Sequence, residues 1–324
     1  MIISWNITKE CQLKCRHCYR DAGAKQKNEL TPAEGLDLVE EIARAGFKIL
    51  ILSGGEPLMR ADVYDLIAHA KKQGMRPVLG TNGLLITREV VRKLKAAGLA
   101  RAGISLDSIT EAVHDDFRQE VGAWKGTIEA MKICREEGLD FQIHTTVTTF
   151  NYKDVEKITD LAIELGAKAH HIFFLVPTGR GKDLDAVIPD DKYQELLNKI
   201  MKKQGEVSIE LKPVCAPQFV PLAKDLGQSS RFQRGCLAGT SYCVILPNGD
   251  VHPCPYFPKK AGNVRDVRFS EMWKTNPLFG ELRGANYTGQ CGACEHKMTC
   301  GGCRARAFAE SGDYMDFDPA CIYH

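Results

Sequence analysis

The chain of 324 residues has no apolar stretch near the roughly 20 residues that cross a bilayer. Its N-terminus, MIISWNITKE, turns polar after five residues, so no secretory signal is expected. The expected location is therefore the cytoplasm, where disulfides are disfavoured. Charge is nearly balanced, at +2, which removes the electrostatic reason to expect nucleic acid or a membrane surface as partner. Low-complexity tracts, long linkers, a nucleophile elbow and a recognisable hydrolytic triad are all missing. What is abundant is cysteine. Thirteen of them, in a chain without an oxidising destination, point to metal.

The remaining composition, 44% hydrophobic and 26% charged, is that of an ordinary soluble protein, long enough for one large and one smaller domain. Apolar, β-branched runs at 2–8, 48–53, 76–81, 101–106, 140–148 and 170–176 predict strands. Helical stretches lie between them. Thr31-Pro32-Ala33-Glu34 reads as a capping box, followed by an apolar face of Leu36, Val39, Ile42 and Ala43. Gly46, Gly74, Gly98, Gly138 and Gly166 each stand where a left-handed C-cap precedes a strand. Alternation of this kind implies a parallel sheet with helices outside. Every polar motif falls at the C-terminal end of a strand, the working face of a barrel. The expected fold class is α/β, a partial (β/α)6 TIM-like barrel over residues 1–205. A cysteine-rich domain over 206–324 would follow it.

Cys11, Cys15 and Cys18 are spaced Cys-x3-Cys-x2-Cys after the first strand. Three thiolates can hold three corners of a [4Fe–4S] cluster and leave the fourth iron open. Zinc is the competing reading, but a tetrahedral structural site wants four ligands. Gly54-Gly55-Glu56-Pro57 follows the second strand. Two glycines allow close backbone approach, and a carboxylate can receive an ammonium group. Taken alone, this is also a plain tight turn.

Eight more cysteines occupy the C-terminal third: Cys236, Cys243, Cys254, then Cys291, Cys294, Cys300 and Cys303, and finally Cys321. Eight thiolates complete two four-cysteine sites, iron–sulfur or zinc. Gly249 sits in a hairpin turn, Pro247-Asn248-Gly249-Asp250. Cys134 reads as a buried apolar residue. Cys215, in KPVCAPQF, reads as an alternative ligand or a substrate-side thiol.

CQLKCRHCY together with the Gly-Gly-Glu-Pro turn resembles the radical S-adenosylmethionine (SAM) superfamily over roughly residues 1–180. The C-terminal cysteines resemble its SPASM extension, which carries auxiliary clusters. The resemblance implies SAM chelated to the open iron, with Gly54, Gly55 and Glu56 beside it. Ser105, Asp107 and Thr146 would lie near its ribose, carboxylate or nucleoside, and Arg118 would pair with its carboxylate. The backbone near Val176 would flank the nucleoside. It further implies Cys236, Cys243, Cys254 and Cys303 on auxiliary cluster I, and Cys291, Cys294, Cys300 and Cys321 on auxiliary cluster II.

The stretches WNITKECQLKCRHCYRDAG, FKILILSGGEPL, HHIFFLVPTGRG and LKPVCAPQF resemble enzymes of alternative heme and d-type heme biosynthesis. Such enzymes use a 5′-deoxyadenosyl radical to remove or decarboxylate acetate or propionate side chains of siroheme-derived tetrapyrroles. A polycarboxylate substrate would want cationic anchors, and Arg180 and Lys182 are placed for that. His170 and His171 point to opposite faces of the sixth strand, so one faces the barrel interior. A reducing donor such as flavodoxin or ferredoxin is implied. The alternatives are a peptide or protein maturase, disfavoured because the first strand starts at residue 2 without room for a leader-binding module, and a non-catalytic metal scaffold.

Overall fold

The computed structural model describes residues 1–228 and 232–323. Strand and helix alternate through β1 (Ile2–Thr8), α1 (Pro32–Arg44), β2 (Ile49–Gly54), α2 (Val63–Lys72), β3 (Arg76–Thr81), α3 (Arg88–Ala96) and β4 (Arg101–Ser105). They continue through α4 (Glu111–Arg118), α5 (Ala123–Glu136), β5 (Phe141–Val147), α6 (Val155–Leu165), β6 (Ala169–Phe174), α7 (Asp190–Gln204) and β7 (Glu210–Val214). The C-terminal part contributes α8 (Phe219–Asp225), β8 (Tyr242–Ile245), β9 (Asp250–His252), β10 (Gly262–Asn263), α9 (Phe269–Thr275), α10 (Pro277–Gly284), α11 (Gly289–Ala293) and α12 (Arg304–Ser311).

One sheet runs in the order β10-β9-β8-β1-β2-β3-β4-β5-β6-β7. Strands β1 to β7 are parallel neighbours, β8 joins β1 in parallel, and β9 and β10 turn back antiparallel. The barrel is open, because β7 and β10 remain the two edges. All six expected strands are present within a residue or two of their expected ends. The sheet, however, gains β7 on one side and β8 on the other, so the expected boundary at 205/206 falls just before a strand of the barrel.

Local chemistry explains the ends. Thr31 and Glu34 form the capping box of α1. The five expected C-cap glycines all have φ between +68° and +91°, a region in which a Cβ is disfavoured. The buried face of α1 carries Leu38, Val39 and Ile42, with Leu38 in the place expected of Leu36. Alternation along β1 sends Ile3, Trp5 and Ile7 into the layer between sheet and helices, while Ile2 and Ser4 face the lumen. Phe47 packs on Phe269 and Trp273 at centroid distances of 5.6 and 4.9 Å, and Trp273 on Phe279 at 4.7 Å. Each such buried ring contributes roughly 2–3 kcal/mol. Those contacts fasten the C-terminal part to the barrel's outer layer. Cys134 is fully buried in this core. Among the described residues, no helix is long and apolar enough to cross a membrane.

Candidate active site

The loop after β1 carries Cys11, Cys15 and Cys18, and all three border one cavity of about 710 Å³ inside the barrel. Backbone bonds set the loop: Cys11 N–H donates to Gly23 O at 2.8 Å, and Arg16 N–H to Phe117 O at 3.0 Å. His17 stacks on Phe117 with centroids 4.1 Å apart. Three donors face the sulfurs, namely Leu13 N–H at 3.4 Å and Asn82 Nδ2 at 3.9 Å from Cys11, and Arg118 Nη1 at 3.8 Å from Cys15. Burial pushes the Cys11 thiol up to about 11 and raises that of Cys15. Bound metal would displace those protons, and the donors would then support thiolates. The residues fit an iron–sulfur cluster.

Arg180, expected to hold substrate, borders the cavity and spends two of its donors on the cysteine loop. Its Nε donates to Cys15 O at 2.9 Å and its Nη1 to Ala22 O at 3.0 Å. It braces the cysteine loop. Gly179 makes this possible, since a Cβ there would meet Cys18 O at 2.5 Å. Lys182 is exposed. Val176 is buried beside Phe257, Leu282 and Cys303 and does not border the cavity.

The Gly-Gly-Glu turn presses on the protein's own chain. A Cβ on Gly54 would meet Thr8 O at 2.3 Å, and one on Gly55 would meet Glu10 O at 2.1 Å. Both glycines still border the cavity. Glu56 does not. Its carboxylate is fully buried and accepts from Thr81 Oγ1 at 2.8 Å, Asn82 N–H at 2.9 Å and Leu58 N–H at 3.2 Å. Burial pushes it up to about 7 against those donors. Glu56, expected to receive an ammonium, turns both oxygens to these donors and fixes the end of β3, whose Asn82 reaches Cys11.

Asp107 and Arg118 are likewise engaged with each other. Arg118 Nε and Nη2 approach Asp107 Oδ2 at 2.7 and 2.6 Å, while Asp107 Oδ1 accepts Thr146 N–H at 2.8 Å. Burial alone would raise the Asp107 carboxyl, but the guanidinium outweighs it and holds it below the usual range. Arg118 thus has a partner inside the protein and is not a free receiver of a carboxylate. Ser105 and Thr146 border the cavity; Asp107 lies behind them.

At its far side the cavity is bordered by Cys215, Cys236, Cys254 and Cys303. The Cys215 thiol is pushed up by burial first and then by Cys303, Cys254 and Cys236. Cys243 is absent from this group. It is fully buried among Ile3, Ile245 and Trp273 on the outer face of β8. Cys215 thus stands with Cys236, Cys254 and Cys303 at the cavity, in the place where Cys243 was expected, and Cys243 lies in the core. Cys291, Cys294, Cys300 and Cys321 border a second, small cavity of about 30 Å³. Arg304, fully buried, points Nη2 at Cys291 Sγ, 3.4 Å away. Asp318 joins the two sites. It pairs with Arg306 at 2.8 Å, accepts Cys303 N–H at 2.7 Å and borders the second cavity.

Sequence reasoning also missed the deeper lumen. Ser105, His144, His171 and Lys212 lie side by side in register on β4 to β7. Gln142 Nε2 stands 2.7 Å from His144 Nε2 and 3.1 Å from His171 Nδ1. An amide nitrogen donates, so both ring nitrogens are placed to accept; burial pulls the His144 pKa down to about 3, which leaves that imidazole neutral, while His171 Nε2 lies 3.5 Å from Glu210 Oε1. His170, on the opposite face of β6, is held by Thr145 and Thr159 at 2.8 and 2.9 Å in the core. The lumen is cationic. Arg76, Arg101, Arg234 and Lys212 border it, while Glu210 is its one acidic side chain among the described residues.

Residues 5–162 match the radical SAM superfamily, and residues 236–296 match an iron–sulfur cluster-binding domain, SPASM. The chain is 41% identical to an AdoMet-dependent heme synthase of Methanosarcina barkeri, over 99% of this chain and 96% of the relative. It is 32% identical to an Fe-coproporphyrin III synthase of the same organism, over 99% and 87% of the two chains. It is also 32% identical to a mycofactocin maturase of Mycobacterium tuberculosis, over 99% and 82%. Among solved structures, Streptococcus suis SuiB bound to S-adenosylmethionine superposes with a TM-score of 0.81 at 19% identity, covering 99% of this chain and 77% of SuiB. That likeness concerns the fold. With a cysteine loop, glycine turn and second cysteine set around one barrel, the chain belongs to the radical SAM superfamily, as an enzyme of the SPASM-bearing branch that includes the AdoMet-dependent heme synthases.

Proposed function

We propose that this enzyme makes heme from an iron tetrapyrrole bearing four propionates, by removing two carboxyl groups and leaving vinyl groups. The observation that carries the reading is the 41% identity to an AdoMet-dependent heme synthase along nearly the whole of both chains. A cationic lumen of about 710 Å³, on the scale of known cofactor pockets, supports it.

Cys11, Cys15 and Cys18 would hold the cluster that binds SAM, with Gly54, Gly55, Ser105 and Thr146 along the SAM side of the cavity. When bound, that pair supplies a 5′-deoxyadenosyl radical able to abstract hydrogen from an unactivated carbon. On the substrate, loss of one hydrogen atom from the propionate carbon next to the macrocycle, followed by departure of CO2, leaves a vinyl group and one surplus electron. Cys215, Cys236, Cys254 and Cys303, bordering the same cavity, would hold the centre that takes this electron. Cys291, Cys294, Cys300 and Cys321 would hold the next. The barrel wall excludes water from the carbon radical, with the neutral His144 offering no acid. A flavodoxin or ferredoxin in the cytoplasm would supply the reducing electron.

The test is an anaerobic reaction of cluster-loaded enzyme with SAM, dithionite and iron coproporphyrin III, read by mass spectrometry. Heme and 5′-deoxyadenosine should appear together. If 5′-deoxyadenosine forms while the tetrapyrrole stays intact, the tetrapyrrole reading is lost and a peptide substrate, as in a maturase, takes its place.

A further inference from the structure

Among the described residues, Lys212 is a lumen cation without an ion-pair partner. It projects from β7 into the lumen, where its Nζ lies 4.4 Å from the centroid of the Phe232 ring. Among the described residues no carboxylate forms an ion pair with it. Burial pulls its pKa down to about 8, with no anion acting to restore it. The side chain is only partly open to the lumen, so an ammonium there lacks both full hydration and a paired anion. Its neighbours in the register supply no anion: they are His171, His144 and Ser105, and Glu210, two residues along β7, faces His171 Nε2 at 3.5 Å and forms no ion pair with Lys212 among the described residues.

We propose that Lys212 anchors one of the substrate carboxylates that the reaction leaves in place, and thereby sets which propionates reach the radical. This rests on the tetrapyrrole reading above. The layer of Lys212 lies two residues below that of Thr146, Phe173 and Val214, or about 6.6 Å deeper in the barrel. The cysteine loop closes the opposite, C-terminal end of the strands. Ser105, on the SAM side, shares that layer but stands three strands across the sheet, about 14 Å away, so a carboxylate on Lys212 is held away from the radical source. Chemistry points the same way. A carboxylate leaving as CO2 gives up its charge, so an ammonium against it would stabilise the ground state and slow the step. An ammonium suits a carboxylate that stays.

The experiment is a spectrophotometric titration of the cluster-loaded enzyme and its Lys212→Met and Lys212→Arg variants with iron coproporphyrin III. The tetramethyl ester of the same macrocycle serves as the uncharged probe. The anchor is supported if K212M weakens binding of the tetracarboxylate about tenfold or more, leaves the ester unchanged, and K212R retains most of the affinity. Equal tetracarboxylate affinity in K212M and the parent enzyme overturns the anchor and leaves the proposed function standing. Equal loss for acid and ester makes Lys212 a packing residue and also overturns it. Failure of the parent enzyme to bind the tetracarboxylate overturns the tetrapyrrole reading, and the anchor with it.

Discussion

Arg118 and Asp107 hold each other inside the wall of the barrel, with two guanidinium nitrogens on one carboxylate oxygen and the third 3.8 Å from Cys15 Sγ. Both side chains are buried. The pair therefore sets the position of a cysteine from the loop after β1, a hundred residues away in sequence.

Breaking that pair leaves a buried charge without compensation. Arg118→Leu or Asp107→Asn should destabilise the metal-free protein by about 3–5 kcal/mol in denaturant titrations. The variants should also lose iron from the N-terminal site. An unchanged midpoint would mean that water, and not the partner, solvates the remaining group.

Glu56 faces three donors with two oxygens. Glu56→Gln, although nearly isosteric, must turn an amide NH2 toward a backbone N–H. It should cost about 1–3 kcal/mol in denaturant unfolding. Asn82 would shift with it, so SAM affinity should fall in equilibrium dialysis. Retention of both properties would show that Glu56 only fills space.

The two cysteines exchanged between core and site separate cleanly. Cys215→Ser should lower iron by about four atoms per chain and remove one auxiliary signal from the electron paramagnetic resonance spectrum. Cys243→Ser should retain full iron while losing about 1–2 kcal/mol of stability, because a hydroxyl replaces a thiol in an apolar core. The opposite pattern would restore Cys243 to the cluster.

Arg304 is buried and points at Cys291, with no carboxylate paired to it among the described residues; its other bonds go to the carbonyls of Gly302, Tyr314 and Asp316 at 3.4, 2.9 and 2.6 Å. A fixed cation there stabilises the reduced, more negative form of a cluster. Arg304→Gln should move one auxiliary midpoint to a more negative potential in an EPR-monitored redox titration, leaving the other two in place. Identical midpoints would reduce Arg304 to a loop brace.

Lys212 also predicts a stability profile for the substrate-free protein. Its pKa falls from 10.5 in the unfolded chain to about 8 when folded. Between those values the unfolded chain binds the extra proton, so this group's contribution to stability rises with pH across that window and is least favourable below pH 8. Lys212→Met removes the burden. At pH 7 it should be more stable than the parent by on the order of 1–3 kcal/mol, with the gap closing toward pH 10.5. His171, Glu210 and Arg101 face the same lumen and are common to both proteins, so the difference isolates Lys212. A gap constant with pH would assign the change to packing.

Much of the architecture was legible without coordinates. Strand positions, the capping box and the five glycine caps depend on local φ/ψ preference and periodicity, and each is written within a few residues. The cysteine loop and the glycine turn were legible for the same reason. The fourth cysteine of the first auxiliary set was not. Cys236, Cys243 and Cys254 look alike as text, but in YCVI the alternation of β8 puts Tyr242 on the lumen face and Cys243 on the other. Cys215 sits at the end of a strand that was not anticipated. Arg118 and Arg180 also looked like free cations on the working face. Their carboxylate and carbonyl partners lie 11 and 165 residues away.

By itself, then, the sequence determined the elements, their order, the number of cysteine sites and the chemistry those sites can hold. Only the tertiary structure decided which side chains share a site: Cys215 in place of Cys243, Arg118 on Asp107, Glu56 turned from the cavity, and Lys212 left facing it. The reason is physical. A strand shifted by one residue sends every side chain to the opposite face, and that phase is set by pairing between strands far apart in the chain.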